Sequence, residues 1–151
     1  MDFNRIDLDG LQAGWGSIWQ GGAADVAVQT LPGPLLIVCM DRGEFNEQFI
    51  DHKNVQAVLA VWIDDSPDAM LDDKSLLLLV DTVEKWLQDG GNVYDHCAAG
   101  VSRASYLDIA IHMRSGHMSF DAAFALVHAQ RPVANPNAGF VAQLRRMESL
   151  L

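Results

Sequence analysis

The run His96-Cys97-Ala98-Ala99-Gly100-Val101-Ser102-Arg103 places one thiol and one guanidinium six residues apart. Strand-like residues Asn92-Val93-Tyr94 precede it, after the breaker pair Gly90-Gly91, and Tyr106, Leu107, Ile109, Ile111 and Met113 follow at helical spacing. A small-residue loop between a strand end and a helix start gathers unpaired backbone N–H groups at the positive end of the helix dipole. Ala98, Ala99, Gly100, Val101 and Ser102 would supply those amides. Arg103 can fold back and offer a planar fork of donors to two oxygens of a phosphate. The same field favours thiolate over thiol: cysteines so placed have pKa values of about 3.5–7.5, against about 8.5 when free. A nucleophilic sulfur inside a cage for a tetrahedral oxyanion predicts phosphoryl transfer through Cys97.

His-Cys-x-x-Gly-x-Ser-Arg resembles the signature of cysteine-dependent protein phosphatases, in particular the small dual-specificity branch. Asp64-Asp65-Ser66-Pro67-Asp68, closing a strand-like run over Val55–Ile63, resembles that family's general-acid segment. Arg131-Pro132, Asn135-Pro136-Asn137, Gly139-Phe140 and Gln143-Leu144 resemble its closing helical segments, so the likeness runs from about Val55 to Leu144. The resemblance implies an α/β fold with a mostly parallel central sheet flanked by helices, and a single catalytic domain over residues 1–151. It also implies hydrolysis of phosphomonoesters through a cysteinyl-phosphate intermediate, with no metal or cofactor. Cys97 would be the nucleophile, Arg103 the clamp on the equatorial oxygens, and His96 a neighbour that orients the cradle. Asp65 lies 32 residues before Cys97, about the family's spacing, and is the expected acid with Asp64 in reserve. A solvated acidic turn is the plainer reading of the same residues.

Two positions depart from the family pattern. Ala104 stands where the family has Ser or Thr, whose hydroxyl bonds the cysteine sulfur. The liver-regeneration phosphatases share that departure, which implies slower breakdown of the phosphoenzyme. Ser105 points about 100° further round a helix and does not simply replace it. Asp95 stands where the family has an apolar residue, in a strand buried on both faces. An ionised carboxylate there is costly unless paired. Arg131, His112 and Tyr94 are candidate partners, and a protonated Asp95 is the alternative. These departures keep open a second class of function, a catalytically weak phosphate-binding module that binds phosphoproteins.

Cys39 is the other cysteine of two. It reads as a small core residue, or, by resemblance to the Leu-Cys-x-Glu-Arg context of tensin-like phosphatases, as a disulfide partner for oxidised Cys97. His52, His112, His117 and His128 show no metal-ligand spacing.

Around these residues, 151 positions with half apolar and a fifth charged suit one globular domain with a real core. No apolar run approaches the ~18 residues of a membrane span. Met1-Asp2-Phe3-Asn4-Arg5 lacks the layout of a signal peptide. A working thiolate suits a reducing cytoplasm. The net charge of −10 disfavours nucleic acid and anionic membranes, both of which bind through cation–phosphate contacts. A phosphoprotein or small phosphomonoester is the expected partner. Ala98, Ala99 and Val101 occupy places where the family's phosphoinositide phosphatases carry Lys or Arg, which argues against that substrate.

The positioning elements follow from the pattern. Asp7–Trp19 predicts one or two short strands, Leu35–Met40 and Val55–Ile63 buried strands, and Glu44–His52 a short helix or loop. Helices are predicted over Leu71–Gln88, Arg103–Arg114, Ser119–Gln130 and Asn137–Leu150, with Ser119 as an N-cap. Alternating strands and helices predict a sheet covered on both faces, with the site at the carboxyl ends of its strands.

Overall fold

A computed structural model of the chain describes residues 3–6, 12–22, 30–41 and 52–151. Most of the predicted Glu44–His52 element, and residues 7–11 of the first predicted strand region, lie outside them. Strands β1 (Phe3–Arg5), β2 (Ile18–Gly22), β3 (Leu35–Asp41), β4 (Val55–Ile63) and β5 (Asn92–Cys97) form one sheet in the order β1-β2-β5-β3-β4. Only β1 runs antiparallel to its neighbour; the other pairings are parallel. Helices α1 (Asp73–Gln88), α2 (Arg103–Ser115), α3 (Phe120–Gln130) and α4 (Ala138–Arg146) complete the described elements. None of the described helices is long and apolar enough to cross a membrane.

β3 is buried from Leu35 to Met40, as its unbroken apolar run requires. Val55–Ile63 forms with the predicted bounds, but it lies at the edge of the sheet and only Ile63 is fully buried. A continuous apolar run does not distinguish a central strand from an edge strand whose faces are partly covered. α1 starts two residues later than predicted, because Asp72 caps it: its Oδ1 accepts the Ser75 N–H at 2.8 Å. Leu76, Val80, Val83 and Leu87 then form the buried stripe. Ser119 caps α3 through the Ala122 N–H, as predicted. α4 ends at Arg146, short of the predicted Leu150. Beyond it the chain turns, and Glu148 accepts the first N–H of α3, from Phe120, at 2.7 Å.

α2 is the pivot of the packing. It is buried from Ala104 to Met113, with the sheet on one side and the other helices around it. Residues of all four helices share one core with Ile18, Leu36, Val38, Met40 and Val93 of the sheet. The opposite sheet face packs Leu31, Leu35, Ile37 and Tyr94 against Phe3, Trp19, Val55 and Val58, with no residue from the four helices. Among the described residues the helices therefore share one face, whereas the pattern alone suggests cover on both. The parallel strands β2, β3, β4 and β5 bring Gly22, Asp41, Ile63 and Cys97 to one end of the sheet.

Candidate active site

Cys97 is the last residue of β5, on the helix-bearing face and only 2% exposed. Its Sγ accepts the backbone N–H of Ala104, across the loop, at 3.5 Å. Three of the loop's carbonyls are held from behind. Ala99 O accepts from Arg131 Nη2 at 3.2 Å, and Gly100 O accepts from Arg131 Nε at 2.7 Å and Gln20 Nε2 at 3.1 Å. Val101 O accepts from the Asn135 N–H and the Ser105 hydroxyl, both at 2.7 Å. A planar trans peptide points its N–H opposite to its C=O. Holding these carbonyls therefore turns the amides of Gly100, Val101 and Ser102 the other way, where they can converge on an anion.

Gly100 is fixed by this geometry. Its φ of +65° suits glycine, and a Cβ there would lie 2.5 Å from Arg131 Nη2 and 2.6 Å from the Gly21 carbonyl carbon. Ser102 stands at the N-cap of α2 without capping it; its hydroxyl instead accepts the Asn137 N–H at 2.9 Å. The first amides of α2 are thereby left for the sulfur and for a ligand.

Arg103 reaches across to the neighbouring strand ends. Its Nη1 donates to Asp41 Oδ1 at 2.6 Å and to the Ile63 carbonyl at 3.0 Å. The two paired side chains are 12% and 13% exposed, so the ion pair is largely desolvated. Asp41 is a site residue that the sequence reasoning missed. Its signal was a lone acid directly after a buried apolar strand, at the end of the sheet where ligands bind.

Asp65 is exposed and accepts from Asn137 Nδ2 at 2.9 Å. Asn137 joins three parts: it contacts Asp65, caps α4 through the Gly139 and Phe140 amides, and donates its own N–H to Ser102. The segment after Asp65 lies directly on α4, since a Cβ at Gly139 would fall 2.0 Å from Pro67 O.

His96 lies on the sheet face opposite Cys97, buried and stacked on Tyr94 with ring centroids 5.5 Å apart. Burial pushes its imidazole down to about 4, against weaker opposing pulls from the Cys97 backbone and the Asp41 carboxylate, so the ring is neutral near pH 7. Cys39 pairs in register with His96. Residues paired across strands point to the same face, so Cys39 turns away from Cys97 with the histidine. Its sulfur donates to Asp41 O at 3.6 Å, and neither cysteine is held in a disulfide. The disulfide expectation gives way to the core reading, because the pleat separates the two sulfurs.

Ser105 donates to Val101 O and accepts from Gln20 Nε2 at 2.7 Å, so its hydroxyl serves the back of the loop and not the sulfur. Asp95 is fully buried, and the structure sets Asp108 against it, a residue absent from the three candidate partners. Desolvation first, and then the neighbouring Asp108 carboxyl, raise Asp95 well above the ordinary carboxylate range. This matches the protonated alternative.

Comparison with known proteins agrees with this geometry. The dual specificity phosphatase catalytic domain family matches residues 27–149. The fold is similar to that in the crystal structure of a mouse putative dual specificity phosphatase complexed with zinc tungstate. That match has a TM-score of 0.81 and 29% identity, over 99% of this chain and 88% of that one. It is also similar to the human tyrosine phosphatase-like serine/threonine/tyrosine-interacting protein, with a TM-score of 0.75 and 25% identity over 97% and 96% of the two chains. Among curated sequences, Putative tyrosine phosphatase 123R of Invertebrate iridescent virus 6 is 36% identical over 99 residues, 65% of this chain and 70% of that protein. Other curated relatives are much longer, and the matched region spans only 11% to 19% of their length. With the family's match covering most of its length, the chain belongs to the dual-specificity phosphatase catalytic-domain family.

Proposed function

We propose that residues 1–151 act as one cofactor-independent phosphatase domain that hydrolyses phosphomonoesters, phosphoproteins among them, in a reducing cytoplasm. The observation that carries this reading is the Asn137 bridge. It ties a carboxyl on the acid segment to the loop around Cys97 through two hydrogen bonds of 2.9 Å each. The same bridge favours Asp65 over Asp64.

The Cys97 thiolate attacks phosphorus in line; the S–P bond forms as the P–O bond to the leaving group breaks. Asp65 in its acid form passes a proton to the departing oxygen. Water then attacks phosphorus and the S–P bond breaks. The Asp65 carboxylate takes a proton from that water, and phosphate leaves with the thiolate restored. The amides of Ala98 to Ser102 and the Arg103 guanidinium hold the equatorial oxygens as charge spreads over them. Asp41 and the Ile63 carbonyl fix the position of that guanidinium. His96, neutral and buried on the opposite sheet face, adds no charge beside the sulfur.

Ala104 favours one further reading, a weak enzyme that retains phosphoproteins. The Cys97 sulfur receives a backbone N–H from residue 104 but no hydroxyl. Turnover of an activated aryl phosphate tests both. The wild-type chain turns it over, Cys97→Ser loses at least ~10³-fold in kcat, and tungstate still binds the variant. Residual hydrolysis within about tenfold of the parent would remove Cys97 as nucleophile. Binding without turnover by the parent would favour the module.

A further inference from the structure

α2 is buried on all sides, yet it carries Ser105, Asp108 and His112 three and four residues apart, along one stripe. That stripe faces the sheet. Ser105 meets Gln20 of β2 at 2.7 Å, and Asp108 meets Asp95 of β5. Asp95 lies between Gln20 and Val38 in register and shares the face of Cys97, two residues further along the strand. Both aspartates have no exposed surface, and none of their four carboxyl oxygens has a hydrogen-bond donor among the described residues. His112 Nδ1 contacts the Asp108 backbone carbonyl at 2.8 Å and so does not serve the carboxyl through that nitrogen.

Two ionised carboxylates are acceptors only and cannot bond each other. With one proton between them they can, and the charge taken out of water falls from two to one. Their surroundings assign the proton. Burial raises both carboxyls; Cys97 and Cys39 push Asp95 further the same way, whereas the hydrogen bond from Asp95 and then the Arg131 guanidinium offset the rise at Asp108. Asp95 is then the donor and Asp108 the charged acceptor. The flanking side chains are those that hold the loop: Arg131 on the carbonyls of Ala99 and Gly100, and Gln20 on that of Gly100.

We propose that Asp95 and Asp108 share one proton beneath the phosphate loop and act as positioning residues for it, so that anion binding holds while the pair keeps that proton and weakens when it is lost. The proposal rests on the loop being the phosphate cradle. With one proton, the single charge on Asp108 is balanced by Arg131. Without it, a second buried negative charge stands on the strand that ends in Cys97. That charge repels a bound anion and competes with the loop carbonyls for Arg131.

Tungstate binding, followed calorimetrically in the Cys97→Ser background from neutral pH up to the highest pH at which the protein stays folded, isolates the pair from the thiol and from turnover. The expected result is an affinity that falls about tenfold or more with rising pH. Adding Asp95→Asn, whose amide donates permanently to Asp108, holds the affinity within about threefold over the same range. Infrared spectra of the parent at neutral pH should show a protonated-carboxyl C=O band that Asp95→Asn abolishes. The proposal is overturned if that band is absent, or if the Asp95→Asn variant follows the parent's pH curve. Should that variant not fold, the band and the tungstate affinity in the parent must titrate together, and separate titrations would overturn the proposal equally. Normal pH-dependent binding by a parent that hydrolyses nothing would sink the phosphatase reading and leave this one standing. Absence of tungstate binding at every pH would remove both the cradle and the pair's role.

Discussion

In the loop after β5, the carbonyls of Ala99, Gly100 and Val101 each accept from groups on other elements: Arg131, Gln20, Asn135 and Ser105. Two residues before Cys97 on the strand, and five residues after Arg103 on the helix, Asp95 and Asp108 have no such donors among the described residues. The loop's order comes from hydrogen bonds between groups that do not themselves titrate at moderate pH. The carboxyl pair's order depends on a proton that solvent conditions can remove. A fully paired polar network sets geometry, whereas one short of a donor makes geometry conditional.

The sharpest way to break the comparison is at the loop's outer edge. Asp65→Ala should slow cleavage of alkyl phosphates by ~10²–10⁴-fold while leaving activated aryl phosphates much less affected, since only poor leaving groups need the proton. Steady-state rates across a leaving-group series report this directly. If Asp64→Ala shows that dependence and Asp65→Ala does not, the Asn137 bridge has been misread.

A smaller effect separates the pair from the loop through stability. Asp95 is raised from an ordinary value of 3.8. Its stabilising contribution is complete below that value and is lost as pH rises toward the folded pKa, at about 1.36 kcal/mol per pH unit for one proton. His96 has the opposite sign: lowered from 6.5 to about 4, it contributes stability above 6.5 that is lost as pH falls toward 4. From 6.5 upward His96 adds no slope, so in the Cys97→Ser background, which removes the nucleophilic thiol, the difference made by Asp95→Asn reports the carboxyl pair. Urea unfolding of Cys97→Ser should show stability that falls more steeply as pH rises from there than it does with Asp95→Asn added. Equal pH slopes with and without Asp95→Asn contradict a proton held in the core.

The smallest effect sharpens the loop itself. Ala104→Ser restores a hydroxyl beside the sulfur and should speed breakdown of the phosphoenzyme by several-fold, on the order of 1 kcal/mol for one hydrogen bond. Burst kinetics would show a smaller burst and a faster steady state. An unchanged second step would mean that the backbone N–H of residue 104 suffices.

The legible and illegible parts of the chain divide along the same lines. Cys97, Arg103 and the strand–loop–helix around them could be read because that chemistry needs fixed residue types at short spacing. The strands over Leu35–Met40 and Val55–Ile63 and the helices were visible as apolar runs, caps and breakers. Long-range pairing was not. Nothing local to Asp41 says that it meets Arg103, 62 residues later, and nothing local to Asp108 says that it faces Asp95. The side of the sheet taken by Cys39 was equally hidden, since it depends on the register with β5. That register, not the spacing of the two cysteines, decides whether their sulfurs can meet.

Trapping the covalent intermediate tests the central claim most directly. The reaction with an activated aryl phosphate is quenched in acid during the first turnovers, and the protein is digested and mapped by mass spectrometry. A phosphoryl group should appear on the peptide carrying Cys97, rise with the burst, and be absent from Cys97→Ser; because Ala104 offers the sulfur no hydroxyl, it should persist into the steady state. Turnover at an ordinary rate with no adduct, or an adduct on any residue other than Cys97, would contradict the account.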